Sequence, residues 1–312
     1  MSDDGDYIPE TPEPVVDEDK TTIKHIVCSG GGLAGFAFYG AIKECHRQQL
    51  WSLENIQSIY GTSVGSIIAV ILALNYDWET LDDYLIKRPW QNVFSFNLYS
   101  ILESIQRRGI FDIDCIADIL SPLFSGKDIS SDITLLDFYE VTKIEIHMFA
   151  TNINTFELVD VSHKSHPDWK VIDAVYSSCS VPIIFTPFFK DNECYCDGAL
   201  FANYPIYQCI NDGVNPDEIL GIGYKSNNDI VNTVNPGTSL FDYIVTIIKK
   251  FVNTKIQSVP YKIAYEYFIT TPTISIYDIV NTTSEQSIRI DLIDQGIAIV
   301  NANNIIAIPE NE

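Results

Sequence analysis

The segment Gly61-Thr62-Ser63-Val64-Gly65 sets a serine between two glycines, directly after the strand-like run Ile56 to Tyr60 and before the apolar run Ser66 to Leu74. A chain that turns from strand to helix within two or three residues crowds its own backbone, and the missing Cβ at Gly61 and Gly65 relieves that crowding. Such a turn holds the Ser63 hydroxyl out over the sheet edge. The helix that starts there adds bare N–H groups and a partial positive charge. The pattern predicts an α/β chain with Ser63 as a nucleophile on an elbow framed by Gly61 and Gly65. A plain strand-to-helix turn would favour the same residue types, so the rest of the chain has to decide.

Ser29-Gly30-Gly31-Gly32-Leu33-Ala34-Gly35 follows the strand-like Lys24 to Cys28 and opens a helix-like run from Phe36 to Gln48. Three successive glycines leave backbone amides open to a ligand, as an oxyanion hole or a phosphate cradle requires. Gly30, Gly32 and Gly35 also satisfy the dinucleotide pattern G-x-G-x-x-G. That pattern wants an acid at the end of the second strand, whereas Glu54 precedes the strand and Gly61-Thr62-Ser63 ends it. The oxyanion reading of Gly30, Gly31 and Gly32 therefore ranks above the nucleotide one.

Glu193 to Leu200 reads as an alternating strand that stops at Asp197-Gly198. An aspartate before a glycine is usually a turn former. Beside Ser63 it becomes the natural base, because all five histidines, His25, His46, His147, His163 and His166, precede it. The usual hydrolase order of serine, acid, histidine then has no histidine left to close it. Either Asp197 meets Ser63 directly, or Asp160 serves with His163 or His166; the first is favoured.

These segments, in this order, resemble the patatin-like phospholipases. The resemblance rests on Gly30 to Gly35, on Gly61 to Gly65, on Asp197-Gly198-Ala199, and on the small-residue stretch Ser177 to Pro187. Gly109 to Asp112 and Phe149 to Asn152 are weaker landmarks, and the likeness spans about residues 23 to 225. It implies a three-layer α/β/α patatin-like fold with a central, mostly parallel sheet. It further implies a lipid acyl hydrolase in which Asp197 accepts the Ser63 proton, an acyl-enzyme forms, and no metal or cofactor takes part. Implied partners are a phospholipid or other acyl ester, a membrane or micelle surface, and an activating protein. A catalytically silent member that binds lipid or a protein is the alternative. Many members carry Arg or Lys in the glycine loop, where this chain has Ala34.

Charge narrows the partners. The 312 residues hold 42 acids against 19 bases, a net charge of −23. That argues against nucleic acid and against steering onto strongly anionic bilayers. The first twenty residues hold eight acids, Lys20 alone as base, and three prolines, so residues 1–20 are expected to form a disordered tail before one α/β domain over 21–312. No run of about 18 apolar residues predicts a span, and no basic-then-apolar leader opens the sequence. Seven scattered cysteines without paired C-x-x-C units suggest free thiols and a cytoplasmic, reducing setting.

Downstream, helices are expected over Trp78 to Arg88, Phe111 to Leu123, Trp169 to Tyr176, Tyr204 to Asp212 and Phe241 to Phe251. Strands are expected over Glu145 to Ala150, Phe156 to Val161, Ile219 to Tyr224 and Thr273 to Ile279. The aromatic stretch Trp90 to Tyr99 reads as ordinary packing or as a lid. Ser284 to Asn301 mixes helix and strand signals. Lys249, Lys250, Lys255 and Lys262 form the one cationic concentration, which a solvated helix face explains.

Overall fold

Strand β1 (His25–Cys28) is buried at every position, and so is β2 (Ser58–Thr62). Continuous burial of this kind is what a parallel strand covered on both faces requires. The remaining strands are β3 (Gly109–Phe111), β4 (Glu145–Asn152), β5 (Glu157–Val161), β6 (Ile183–Phe185), β7 (Phe188–Lys190), β8 (Glu193–Asp197), β9 (Ile219–Tyr224) and β10 (Tyr265–Ile269). The computed structural model describes residues 21–95, 104–225, 234–254, 260–270 and 276–306. The acidic tail, Phe96, Leu98, Tyr99 and Lys255 lie outside these described residues.

The main sheet has the order β10-β9-β1-β2-β4-β8-β7, with β5 also on β4. β10, β9, β1, β2 and β4 pair in parallel, whereas β5 and β8 run antiparallel to β4, and β7 antiparallel to β8. β3 and β6 form a separate parallel pair. Alternate residues of each central strand face opposite layers. Ile26, Cys28, Ile59 and Met148 join the larger core beneath α1 (Gly35–Arg47) and α2 (Val64–Ala73). Val27, Tyr60 and Phe149 join the smaller core beneath the helix Ile206–Asn211. This is the three-layer α/β/α arrangement with a mostly parallel sheet.

The helix Leu240–Thr254 appears where its spacing predicts one. Two C-terminal expectations need correction or resolution. The part of Thr273 to Ile279 within the described residues begins the helix Ile276–Ser284, not a strand. Its β-branched residues suggest extended backbone, but Ile279 and Thr283, one helical turn apart, line an interior cavity, and tertiary burial outweighs the local preference. The ambiguous Ser284 to Asn301 lies in the helix Gln286–Ile306. That helix crosses α1 at a backbone contact, where a Cβ on Gly296 would lie 1.9 Å from the Ala37 carbonyl oxygen and one on Gly40 2.1 Å from that of Ile293.

Candidate functional site

Ser63 stands between the last residue of β2 and the first of α2, with φ 55° and ψ −125°. A non-glycine residue in this region carries about 1–3 kcal/mol of strain and persists only where its surroundings fix it. Here the Ser63 N–H donates to Ser178 Oγ at 3.0 Å, and Ser178 Oγ donates to the Phe149 carbonyl at 2.6 Å. Thr62 Oγ1 donates to the Ala202 carbonyl at 2.7 Å. Both framing glycines are sterically required. A Cβ on Gly61 would lie 2.5 Å from the Gly65 carbonyl, and one on Gly65 would lie 2.3 Å from that of Cys28.

Sheet register brings Asp197 to the same place. β2 and β5 both pair with Met148 and Phe149, so they lie on opposite edges of β4. β5 and β8 both pair with Ala150 to Asn152, so β8 lies on the edge that β2 occupies lower down. β2 ends opposite Phe149 and β8 ends opposite Ala150. The serine elbow and the aspartate turn therefore meet end to end along one edge of β4. Asp197 is 2% exposed; its Oδ1 accepts the Ala199 N–H at 2.8 Å, and its Oδ2 is buried with no hydrogen bond. Burial raises the carboxyl to about 6, against the pull of the Ser63 hydroxyl and the Ala199 amide. Cys179 lines the same space, and burial beside Asp197 keeps its thiol protonated.

The glycine loop faces Ser63 across this space. Among the described residues the amides of Gly31 and Gly32 donate no hydrogen bond, while the Gly30 N–H donates to the Asn203 carbonyl at 2.8 Å. The Gly30 amide is thus held within the protein, and Gly31 and Gly32 present the open donors. Asn203 Nδ2 reaches back to Ser29 Oγ at 3.1 Å and the Gly30 carbonyl at 3.3 Å. Ser63, Asp197, Gly31, Gly32 and Asn203 all open on one cavity of about 310 Å³, walled by Ile67, Ile68 and Ile71 of α2, by Trp90 and Phe94, and by Val245, Ile248 and Val252. Within the described residues of the Trp90 to Tyr99 stretch, Trp90 and Phe94 therefore pack as cavity wall.

The sequence profile described as patatin-like phospholipase matches residues 26–210 of this chain. The chain belongs to the patatin-like phospholipase family. An uncharacterized protein of Acanthamoeba polyphaga mimivirus is 28% identical over 232 residues, covering 73% of this chain and 75% of that protein. A probable lipid hydrolase of Invertebrate iridescent virus 6 is 28% identical over 185 residues, 59% of this chain and 62% of that relative, less than two thirds of its length. Among solved structures, VipD from Legionella pneumophila aligns with a TM-score of 0.49 and 16% identity, covering 90% of this chain and 67% of that one. Full-length ExoU of Pseudomonas aeruginosa, solved with SpcU, aligns with a TM-score of 0.44 and 16% identity over 94% of this chain and 54% of that one.

In this patatin-like chain no histidine lines the cavity. His25 bonds Ser58 Oγ at the start of β2 (2.7 Å), His46 packs edge-on against Trp51 and tilted against Trp78, and His163 stacks on Tyr139. His166 sits against Ser165 and Trp169. Asp160 pairs with His147 at 2.7 Å, and Glu145 lies on the other ring nitrogen at 2.9 Å. Burial opposes the His147 charge, but the two carboxylates outweigh it and lift the imidazole to about 9. The alternative acid Asp160 is thereby committed elsewhere.

Three residues at or behind the cavity have roles that escape the sequence reading. Ser178 and Asn203 act through backbone bonds that no local pattern announces. Lys249, which reads as a surface lysine, lines the cavity. Burial lowers it to about 8, with Asp278 and Asp242 pulling the other way. All seven cysteines are free, and among the described residues no helix is long and apolar enough to cross a membrane.

Proposed function

We propose that residues 21–312 form a lipid acyl hydrolase that works through a Ser63–Asp197 dyad. Ser63 Oγ attacks the ester carbonyl carbon while Asp197 Oδ2 takes its proton. The Gly31 and Gly32 amides hold the oxyanion of the tetrahedral intermediate, a contribution worth about 10²–10³ in rate per donor. Collapse returns the proton from Asp197 to the leaving alcohol and leaves an acyl-serine. Asp197 then takes a proton from the attacking water as its oxygen bonds the acyl carbon, and collapse returns that proton to Ser63 Oγ as the carboxylic acid departs.

The observation that carries this reading is the pairing of a strained serine with a buried, half-satisfied carboxylate in an apolar cavity. A free carboxylate near ~3.9 is a weak base. One raised to about 6 by burial is matched to proton transfer near neutrality. The apolar walls suit an acyl chain, and the description of the Invertebrate iridescent virus 6 relative as a probable lipid hydrolase agrees in substrate class.

Hydrolysis of short-chain and long-chain acyl esters by purified variants tests it. Ser63→Ala is expected to abolish turnover and Asp197→Asn to lower kcat at least ~10³-fold. Each single His→Ala variant keeps most activity. A histidine variant as inactive as Ser63→Ala would replace the dyad with a triad.

A further inference from the structure

The helix Leu240–Thr254 is apolar on two sides. With 3.6 residues per turn, Val245, Ile248 and Val252 fall in a sector about 60° wide, and these three line the cavity. Leu240, Tyr243, Ile247 and Phe251 fall in a second sector about 80° wide, centred about 130° away from the first. Those four are 73%, 44%, 48% and 42% exposed. A helix that buries one apolar stripe in a core normally turns its remaining surface to water as a polar face; here the polar strip of Asp242, Thr246 and Lys250 is flanked by a second, exposed apolar stripe. The neighbouring helix Ile276–Ser284 repeats the arrangement, with Ile279 on the cavity and Val280 exposed.

We infer that the outer stripe of Leu240–Thr254 docks the protein on a zwitterionic lipid surface. This rests on the reading of the cavity as an acyl-ester site. The occupant follows from what lies behind the stripe. One helix thickness, about 10 Å, separates the exposed residues from an apolar cavity sized for acyl chain, so a lipid leaving an aggregate at this face has the shortest way to Ser63. Charge agrees. Exposed Lys250 flanks the stripe, whereas the whole chain carries −23. The stripe is thus an apolar strip with a cationic margin on an acidic protein, suited to insert at the boundary between phosphate-bearing headgroups and acyl chains. A strongly anionic surface would repel the rest of the molecule.

Flotation of the full chain with phosphatidylcholine vesicles tests the inference, using Ser63→Ala so that the vesicles survive. The combined variant Leu240→Ser, Tyr243→Ser, Ile247→Ser is expected to lower the bound fraction at least about tenfold, since each side chain withdraws apolar area from the interface. Its melting temperature should match the parent's, because the three positions are exposed. Lys250→Glu should weaken binding several-fold in its own right. In the Ser63 protein, the triple variant should lose activity on vesicles relative to activity on a soluble short-chain ester. Equal flotation of parent and variant, or no flotation of the parent, overturns the docking role. So does a change from dimer to monomer with vesicle binding unaltered, which would make the stripe a contact between copies. If the parent floats but hydrolyses no ester, the catalytic reading fails and the docking surface stands.

Discussion

In the proposed dyad Asp197 carries the most chemistry of any single residue. Its raised proton affinity makes the dyad competent only when the carboxyl is ionised, so turnover should rise with pH through about 6 and level off above it. A kcat profile between pH 4.5 and 8 on a soluble ester checks this; a flat profile would contradict it. The same shift sets a stability trend. The folded value lies above the ordinary 3.8, so the folded state binds the proton more tightly and loses stability as pH climbs from about 4 to 6. Asp197→Asn removes that loss and should stabilise the protein at pH 7 by up to about 3 kcal/mol while inactivating it, as urea unfolding would measure. Asn203 acts through the glycine loop. Asn203→Ala keeps the carbonyl bond to Gly30 but deletes the two side-chain bonds, so kcat should fall about tenfold with KM changing less. Ser63, Asp197 and the glycines were legible because each occupies a turn whose residue types the backbone dictates. Ser178 and Asn203 were not, because their bonds join segments more than a hundred residues apart.

Among the elements, the strands with both faces buried announced themselves by short runs rich in apolar residues, and β1, β2, β4 and β9 lie where the residues suggest. β3, β6 and β7 are three residues long, too short for an alternation to show. β10 is an edge strand with Phe268 exposed beside buried Tyr267 and Ile269. The C-terminal helix Gln286–Ile306 read ambiguously for a different reason: it packs against α1, β10 and the helix Trp78–Lys87 at once, so its apolar residues follow no single stripe. Arg289 locks it in place. This buried guanidinium, 2% exposed, donates to the Thr282, Thr283 and Ile86 carbonyls at 2.6–3.1 Å. These are last-turn carbonyls of two other helices, whose partial negative charge suits a cation. Arg289→Met should cost about 3 kcal/mol in urea unfolding because it leaves those carbonyls unpaired; a change under about 0.5 kcal/mol would show that the bonds contribute nothing net.

At the scale of the molecule, the sheet does the assembling. Ser63 and Asp197 are 134 positions apart in the sequence, and they meet because β2 and β8 share one edge of β4 from opposite ends. The family likeness gave both residues, but not this arrangement, and it gave nothing of the C-terminal helices that close the cavity. Those helices supply Lys249 and the two-sided apolar wall, so the region beyond Lys225 shapes what enters the site. The central claim is that this assembly activates Ser63 without a histidine. The most direct measurement is peptide mapping by mass spectrometry after treatment with a fluorophosphonate, on the parent, Asp197→Asn and the five His→Ala variants. The account predicts a single phosphonyl adduct on Ser63, formed at parental rate in every histidine variant and lost or greatly slowed in Asp197→Asn. An adduct on another residue, or labelling of Ser63 that ignores Asp197 and fails with one histidine variant, would contradict it.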